Sequence, residues 1–122
     1  MAWQLANELK QKVYALTDQS TARDDREFCD QIRDSAASAP RNFAEGFGCY
    51  RHPEFARYTR IAKASLTETH NHLSDGVDRR HWAPPQAAPL QQLADRAIGA
   101  CVRLVAYLES TDAPGTRHRR RS

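Results

Sequence analysis

Apolar residues recur at three- and four-residue spacings in four separate stretches, and nowhere do they alternate with polar ones as in a half-buried strand. A chain patterned this way is confined to helices, each with one face to hide. Leu5, Leu9, Val13 and Leu16 share one side of the first helix, and Phe28, Ile32, Ala36, Ala39, Phe43 and Phe47 one side of the second. Phe55, Tyr58, Ala62, Ser65, Leu66, Thr69, Leu73 and Val77 line the third. Leu90, Leu93, Ala94, Ala97, Ile98, Cys101, Leu104, Val105 and Leu108 give the fourth a broad apolar face. Helices of roughly 15–25 residues span about 22–37 Å, and short connections make sequential helices antiparallel neighbours.

The separators agree with this division. Residues 18–25 are polar and read as a loop, in which Asp24 or Asp25 is placed to cap the second helix. His52-Pro53-Glu54 suits a helix start, since proline lacks the N–H that would be unpaired there and glutamate favours the positive end of the dipole. Residues 79–89, with three prolines, form the longest irregular connection, so the fourth helix is expected from about residues 86–90 to Glu109. The predicted fold is all-α, an antiparallel up-and-down four-helix bundle over residues 1–112. Residues 113–122 are expected to be a disordered basic tail, with no apolar residue beyond Ala113 to offset its ordering.

A net charge of +3 and a pI near 9.0 suggest a nucleic-acid-binding body, but the excess lies in one place. Residues 117–122 hold four arginines and no acid, leaving 14 basic and 15 acidic groups over residues 1–116, a net of −1. With 27% charged residues and a mean hydropathy of −0.76, no apolar run approaches the ~18 residues of a membrane span. The N-terminus enters mixed polar sequence without a secretory signal, and Cys29, Cys49 and Cys101 are scattered without a C-x-x-C pair. The expectation is a cytoplasmic address with thiols that are buried rather than bridged.

One segment breaks the ordinary rules. Residues 35–48 keep helical periodicity straight through Pro40, where a proline removes a backbone bond and kinks the helix at a cost of ~3 kcal/mol. The second helix is therefore expected to be kinked and to need support from elsewhere. Opposite its apolar face, Asp34, Ser38, Arg41, Glu45 and Gly48 form a second stripe at spacings of 4, 3, 4 and 3. A solvated face accounts for Asp34, Ser38 and Arg41, and a helix end for Gly46 and Gly48. The alternative is a subunit interface, built on Ser38, Pro40, Arg41, Asn42, Glu45, Gly46 and Gly48, with the Arg41/Glu45 pair bridging copies.

Chemistry candidates are few. His70 and His72 are two apart and diverge on a helix, while Glu68 with His72 makes only two ligands where a stable metal site needs three or four. No phosphate loop, nucleophile elbow or dinucleotide-binding turn is present. Neither enzyme activity, metal, cofactor nor small-molecule substrate is expected. Trp3, Tyr14, Tyr58, Trp82 and Tyr107 could stack on bases, but aromatics at helical spacing read first as core or interface residues; Trp82, in the proline-rich connection, is the ring least committed to the core. Arg26 and Arg33 share a face that Asp30 partly neutralises. Arg57, Arg60 and Lys63 step along the third helix with no acid between them, Arg51 precedes them, and Arg79 and Arg80 follow at its end. Together with Arg117, Arg119, Arg120 and Arg121 these are the candidate phosphate contacts, which would bind in a salt-dependent, largely sequence-independent manner.

The stretch from Gln31 to Gly48 carries a further signal. Gln31, Ile32, Arg33, Ala36, Ala37, Ser38, Pro40, Asn42, Ala44, Glu45, Gly46, Phe47 and Gly48 match a signature that reads roughly Q-I-R-R-A-A-x-S-I-P-S-N-I-A-E-G-F-G-R. In this the chain resembles the 23S rRNA intervening-sequence protein family of small bacterial four-helix bundles. Trp3, Ala6, Leu9, Val13, Tyr14, Leu16 and Thr17 look like that family's first helix. Glu54, Phe55, Arg57, Ile61, Ala62, Ser65, Leu66 and Glu68 look like its third, so the likeness covers most of residues 3–109. Arg41 stands where the family usually has Ser, and Cys49 where it usually has Arg. The resemblance implies a bundle without catalytic residues. A related branch, the accessory variability determinant of diversity-generating retroelements, forms homopentameric rings and associates with nucleic acid and a reverse transcriptase. The expected function is thus a non-enzymatic, oligomeric bundle, a pentameric ring by resemblance, associated with RNA or DNA. The alternative is an oligomeric scaffold for a protein partner such as a reverse-transcriptase-like enzyme.

Overall fold

Leu9, Val13, Ile32, Phe43, Leu66 and Leu73 are removed from water altogether, and each comes from a position in the sequence's helical stripes. The computed structural model describes residues 1–49 and 51–110, in which these stripes become four helices: α1 (Ala2–Asp18), α2 (Arg26–Phe47), α3 (His52–Asp78) and α4 (Pro84–Leu108). Each helix packs on its neighbours in chain order, and α4 closes against α1. The result is the expected all-α four-helix bundle, with no strand among the described residues. The tail expected over residues 113–122 lies outside them.

α2 runs unbroken through Pro40, which is buried. What supports it there is a polar seam with α3. Ser35 Oγ meets Thr69 Oγ1 at 2.8 Å, and one turn on Ser38 Oγ meets Ser65 Oγ at 2.8 Å. Asn42 Nδ2 then donates to the Ser38 carbonyl at 2.8 Å and to its hydroxyl at 3.0 Å. A net hydrogen bond contributes about 1 kcal/mol, so these cross-links offset a good part of the proline's cost. α1 is tied to α2 by Arg33, whose Nε donates to Thr17 Oγ1 at 2.9 Å and whose guanidinium lies 5.1 Å from the Tyr14 ring centre. That placement sets a cation at the negative end of the α1 dipole.

Four local expectations change. Residues 18–25 are not a plain loop: a 3-10 turn forms at Thr21–Asp24, because Ser20 Oγ accepts from the Ala22 N–H at 3.2 Å and the Ala22 side chain is buried. α4 begins at Pro84, since Pro84 and Pro85 both fall in the first turn, where no N–H partner exists to be lost. Gln86 Oε1 also accepts the Ala83 N–H at 2.8 Å, so the irregular connection shrinks to residues 79–83. Trp82, within that connection, is buried: its indole N–H donates to the Leu73 carbonyl at 3.0 Å and its ring lies across Gly76. Phe47, read as an inner residue of α2, is 58% exposed, because α2 ends there and little packs over its last residue.

The turn from α3 toward α4 shows why Trp82 can reach the core. The His81 N–H bonds the Gly76 carbonyl and the Arg80 N–H bonds the Val77 carbonyl, both at 2.9 Å, with Arg80 in the left-handed region at φ 65°. This closure folds the chain back sharply over the last turns of α3. A Cβ on Gly76 would stand 2.1 Å from the indole, which the Leu73 bond holds in place. Gly76→Ala is therefore expected to lower stability by roughly 2–3 kcal/mol in urea titrations followed by circular dichroism. Gly99→Ala, at a helical position whose nearest neighbour is the flexible Arg103 guanidinium at 3.4 Å, is expected to raise it by up to about 1 kcal/mol.

Candidate nucleic-acid interface

The motif around Pro40 divides into two sets. Ser38 and Asn42 face the α2–α3 seam, Pro40 is buried, and Gly46 is buried where a Cβ would come within 2.7 Å of the Phe55 ring. The small residue at Gly46 thus serves an approach inside this chain, that of α3 to the end of α2. Arg41, Glu45 and Gly48 remain on the outer face. The Arg41 and Glu45 side chains make no ion pair with each other or with any other described residue.

The basic candidates are likewise sorted by their partners. Arg51, Arg57 and Lys63 are exposed, with the Arg57 guanidinium 5.3 Å from the Tyr58 ring centre. Arg60 pairs with Glu109 of α4, an acid that the pattern within α3 alone does not reveal. Arg79 donates to Asp25 and Asp75, each at 2.9 Å, and lies 5.0 Å from the Phe28 ring centre, so its charge is committed to holding the α3 end. Arg80 is exposed. Arg117, Arg119, Arg120 and Arg121 lie outside the described residues.

Antiparallel packing gathers what the sequence disperses. The start of α1, the end of α2, the start of α3 and the end of α4 meet at one end of the bundle. Phe47 lies edge-on to Phe55 at 5.2 Å, the His52 and Tyr107 rings are 6.0 Å apart, and Met1, Phe47 and Leu104 line one cleft. The halves of the helices forming this end (residues 1–9, 37–49, 51–64 and 97–110) carry six cations against four carboxylates. The cations are Arg41, Arg51, Arg57, Arg60, Lys63 and Arg103; the acids are Glu8, Glu45, Glu54 and Glu109. The opposite half carries eight against ten. Arg103 and the exposed ring of Phe47 escaped sequence reasoning, because each sits within or beside an apolar stripe and its exposure depends on where the helices stop; Tyr107, which sequence alone favours as a core or interface residue, is exposed.

The remaining chemistry is sparse. His70 approaches Asp95 at 3.5 Å while His72 approaches Glu68 at 3.8 Å, so the two imidazoles serve different neighbours. Among the described residues no three His, Cys, Asp or Glu side chains gather as metal ligands, and no helix is long and apolar enough to cross a membrane. All three cysteines are free. Cys29 and Cys101 are buried, and burial pushes the Cys101 thiol up to about 11.

Four helices closing on one core, with guanidinium, carboxylate and aromatic groups as the exposed chemistry, define a small four-helix-bundle protein. More specifically, the chain belongs to the 23S rRNA-intervening sequence protein family, whose profile matches residues 1–101. Among solved structures it is similar to a protein of unknown function from the S23 ribosomal protein family of Bacteroides thetaiotaomicron. That likeness has a TM-score of 0.78 at 14% identity, over 86% of this chain and 98% of the other. No match to a curated protein was found.

At the far end of the bundle, the Asp25 carboxylate occupies the α2 cap position but is directed to Arg79 and to His81 Nε2 at 2.9 Å; His81 Nδ1 in turn meets Thr21 Oγ1 at 2.8 Å. The His81 and Arg79 bonds hold the Asp25 carboxyl below the usual carboxylate value of 3.8. A carboxylate depressed in the folded state contributes stability that is fully present above its unfolded value and is lost as pH falls through the folded one. Asp25→Asn is therefore expected to lower the melting temperature at neutral pH and to lose part of the decline below about pH 4. Thermal melts of both proteins from pH 2 to 7 check this.

Proposed function

We propose that this protein is a non-enzymatic, self-associating helical bundle that binds nucleic acid through the end at which α4 finishes. The observation that carries the reading is the uneven charge. That end holds two more cations than acids, and the chain leaves it at Ser110 toward a segment with four further arginines and one aspartate. A positive end on a body that is elsewhere acidic orients the molecule toward phosphates and concentrates them there. The family's name, which ties its members to intervening sequences of 23S rRNA, supports the same ligand class.

Self-association is supported by the exposed Arg41 and Glu45, one helical turn apart and without partners within the described chain. Against a complementary, different face of the next copy each would find a counter-ion, and the ring suggested by the resemblance would multiply the basic field with each copy. In light scattering the protein is expected well above its 13.8 kDa monomer mass, with Glu45→Ala shifting it toward that mass. A monomer at every concentration refutes self-association.

Fluorescence anisotropy with labelled RNA and DNA at rising salt tests the ligand. Binding is expected at about 50 mM salt and should weaken steeply above it. Truncation to residues 1–116 removes the four terminal arginines and is expected to lower the log–log salt slope by up to about 3. A flat response of the full-length protein at about 50 mM salt refutes the nucleic-acid reading and favours a protein partner.

A further inference from the structure

We infer that the basic end of the bundle takes nucleic acid as a single strand, with unpaired bases stacked on Phe47 and Tyr107; the inference rests on the nucleic-acid reading above. Phe47 is 58% exposed and Tyr107 56%, which makes them the two most exposed Phe, Tyr or Trp rings among the described residues. Neither ring stands alone. Phe47 has Phe55 behind it at 5.2 Å with the planes 72° apart, and Tyr107 has His52 at 6.0 Å. A ring so backed is held in orientation, which is what a stacking platform requires.

The aromatic exposure is also segregated. In the other half of the bundle the exposed ring is Tyr14, and that ring is covered by the Arg33 guanidinium. At the basic end, Arg103 borders an apolar cleft of about 240 Å³ that Phe47 and Leu104 line. Arg51, the residue that caps α3, and Arg57, in its second turn, stand exposed close in the chain to His52 and Phe55. Cations set around exposed rings are the arrangement that reads a backbone by charge and a base by its face. A duplex offers the phosphates but keeps its base faces stacked inside.

An apolar end also suits a second copy of the same chain, and charge decides between the two. Two identical ends brought together would oppose six cations to six, with only four acids on each to offset them. The same excess attracts a polyanion.

The test uses the full chain with 12-nucleotide oligo-U and oligo-dT, a duplex of equal length, and an abasic strand that keeps the phosphates. Single strands of either sugar are expected to bind about tenfold or more tightly than the duplex or the abasic strand. Phe47→Ala with Tyr107→Ala is expected to weaken single-strand binding about tenfold or more, leaving the salt slope, the melting curve and the mass unchanged. Tyr107→Phe, which keeps the ring, should retain the binding. Equal binding of the abasic strand, or unchanged single-strand affinity in the double variant, overturns the stacking inference while leaving the electrostatic reading intact. A fall in mass in the double variant assigns the rings to an interface between copies and likewise overturns it. Failure of the wild-type protein to bind any of the four probes removes the nucleic-acid reading itself.

Discussion

The hydroxyl pairs between α2 and α3 are the interaction on which the rest of the bundle depends. Pro40 sits inside α2 and withdraws one backbone bond from it, yet the helix continues to Phe47. It continues because Ser35, Ser38 and Asn42 are bonded across or along the seam, and because Thr69 and Ser65 in α3 are buried where they can answer. Buried hydroxyls without partners would cost more than the proline does. Satisfied in pairs, they instead fix the register of α2 against α3, since sliding by one turn would separate both pairs at once. That register brings Gly46 against Phe55 and so sets where α2 must stop and α3 begin.

Much of this was legible in the chain itself, for a definite reason. Helical stripes are local, and four of them with short separators leave little choice of architecture. The resemblance carried by Pro40, Asn42, Glu45 and Gly46 points to the family from sequence alone. What stayed hidden depended on distant pairs. Trp82 lies in a proline-rich connection and reads as surface; only the closure at Arg80 and the absent side chain at Gly76 bring it inside. Arg60 has no acid near it in sequence because its partner, Glu109, is on another helix. Ser38 falls on the polar side of a helical wheel drawn from Phe43, but a wheel does not know that a third helix offers it Ser65.

The two ends of the bundle are built differently. At one, Asp25, Arg79, Asp75 and His81 join the start of α2 to the end of α3 in a connected set of charge-assisted bonds, with Phe28 and Trp82 packed beneath. Arg79, the cation at its centre, already has two carboxylate partners. At the other, one ion pair spans half-exposed residues, the pair that exposed geometry makes worth little, and Arg51, Arg57 and Lys63 make no ion pair among the described residues. The first end is arranged for stability, and the second leaves its charge and its rings available.

This polarity follows from topology as much as from composition. Residues 1–116 are nearly neutral, so a reading of net charge assigns the basic character to the terminal arginines alone. An antiparallel bundle re-sorts the same residues by height, and the segments at the two ends of α1 to α4 differ by four charges: +2 at one end and −2 at the other. α4 finishes at the positive pole. With four helices the end of α4 and the exposed rings of Phe47 and Tyr107 share the positive pole of the described bundle.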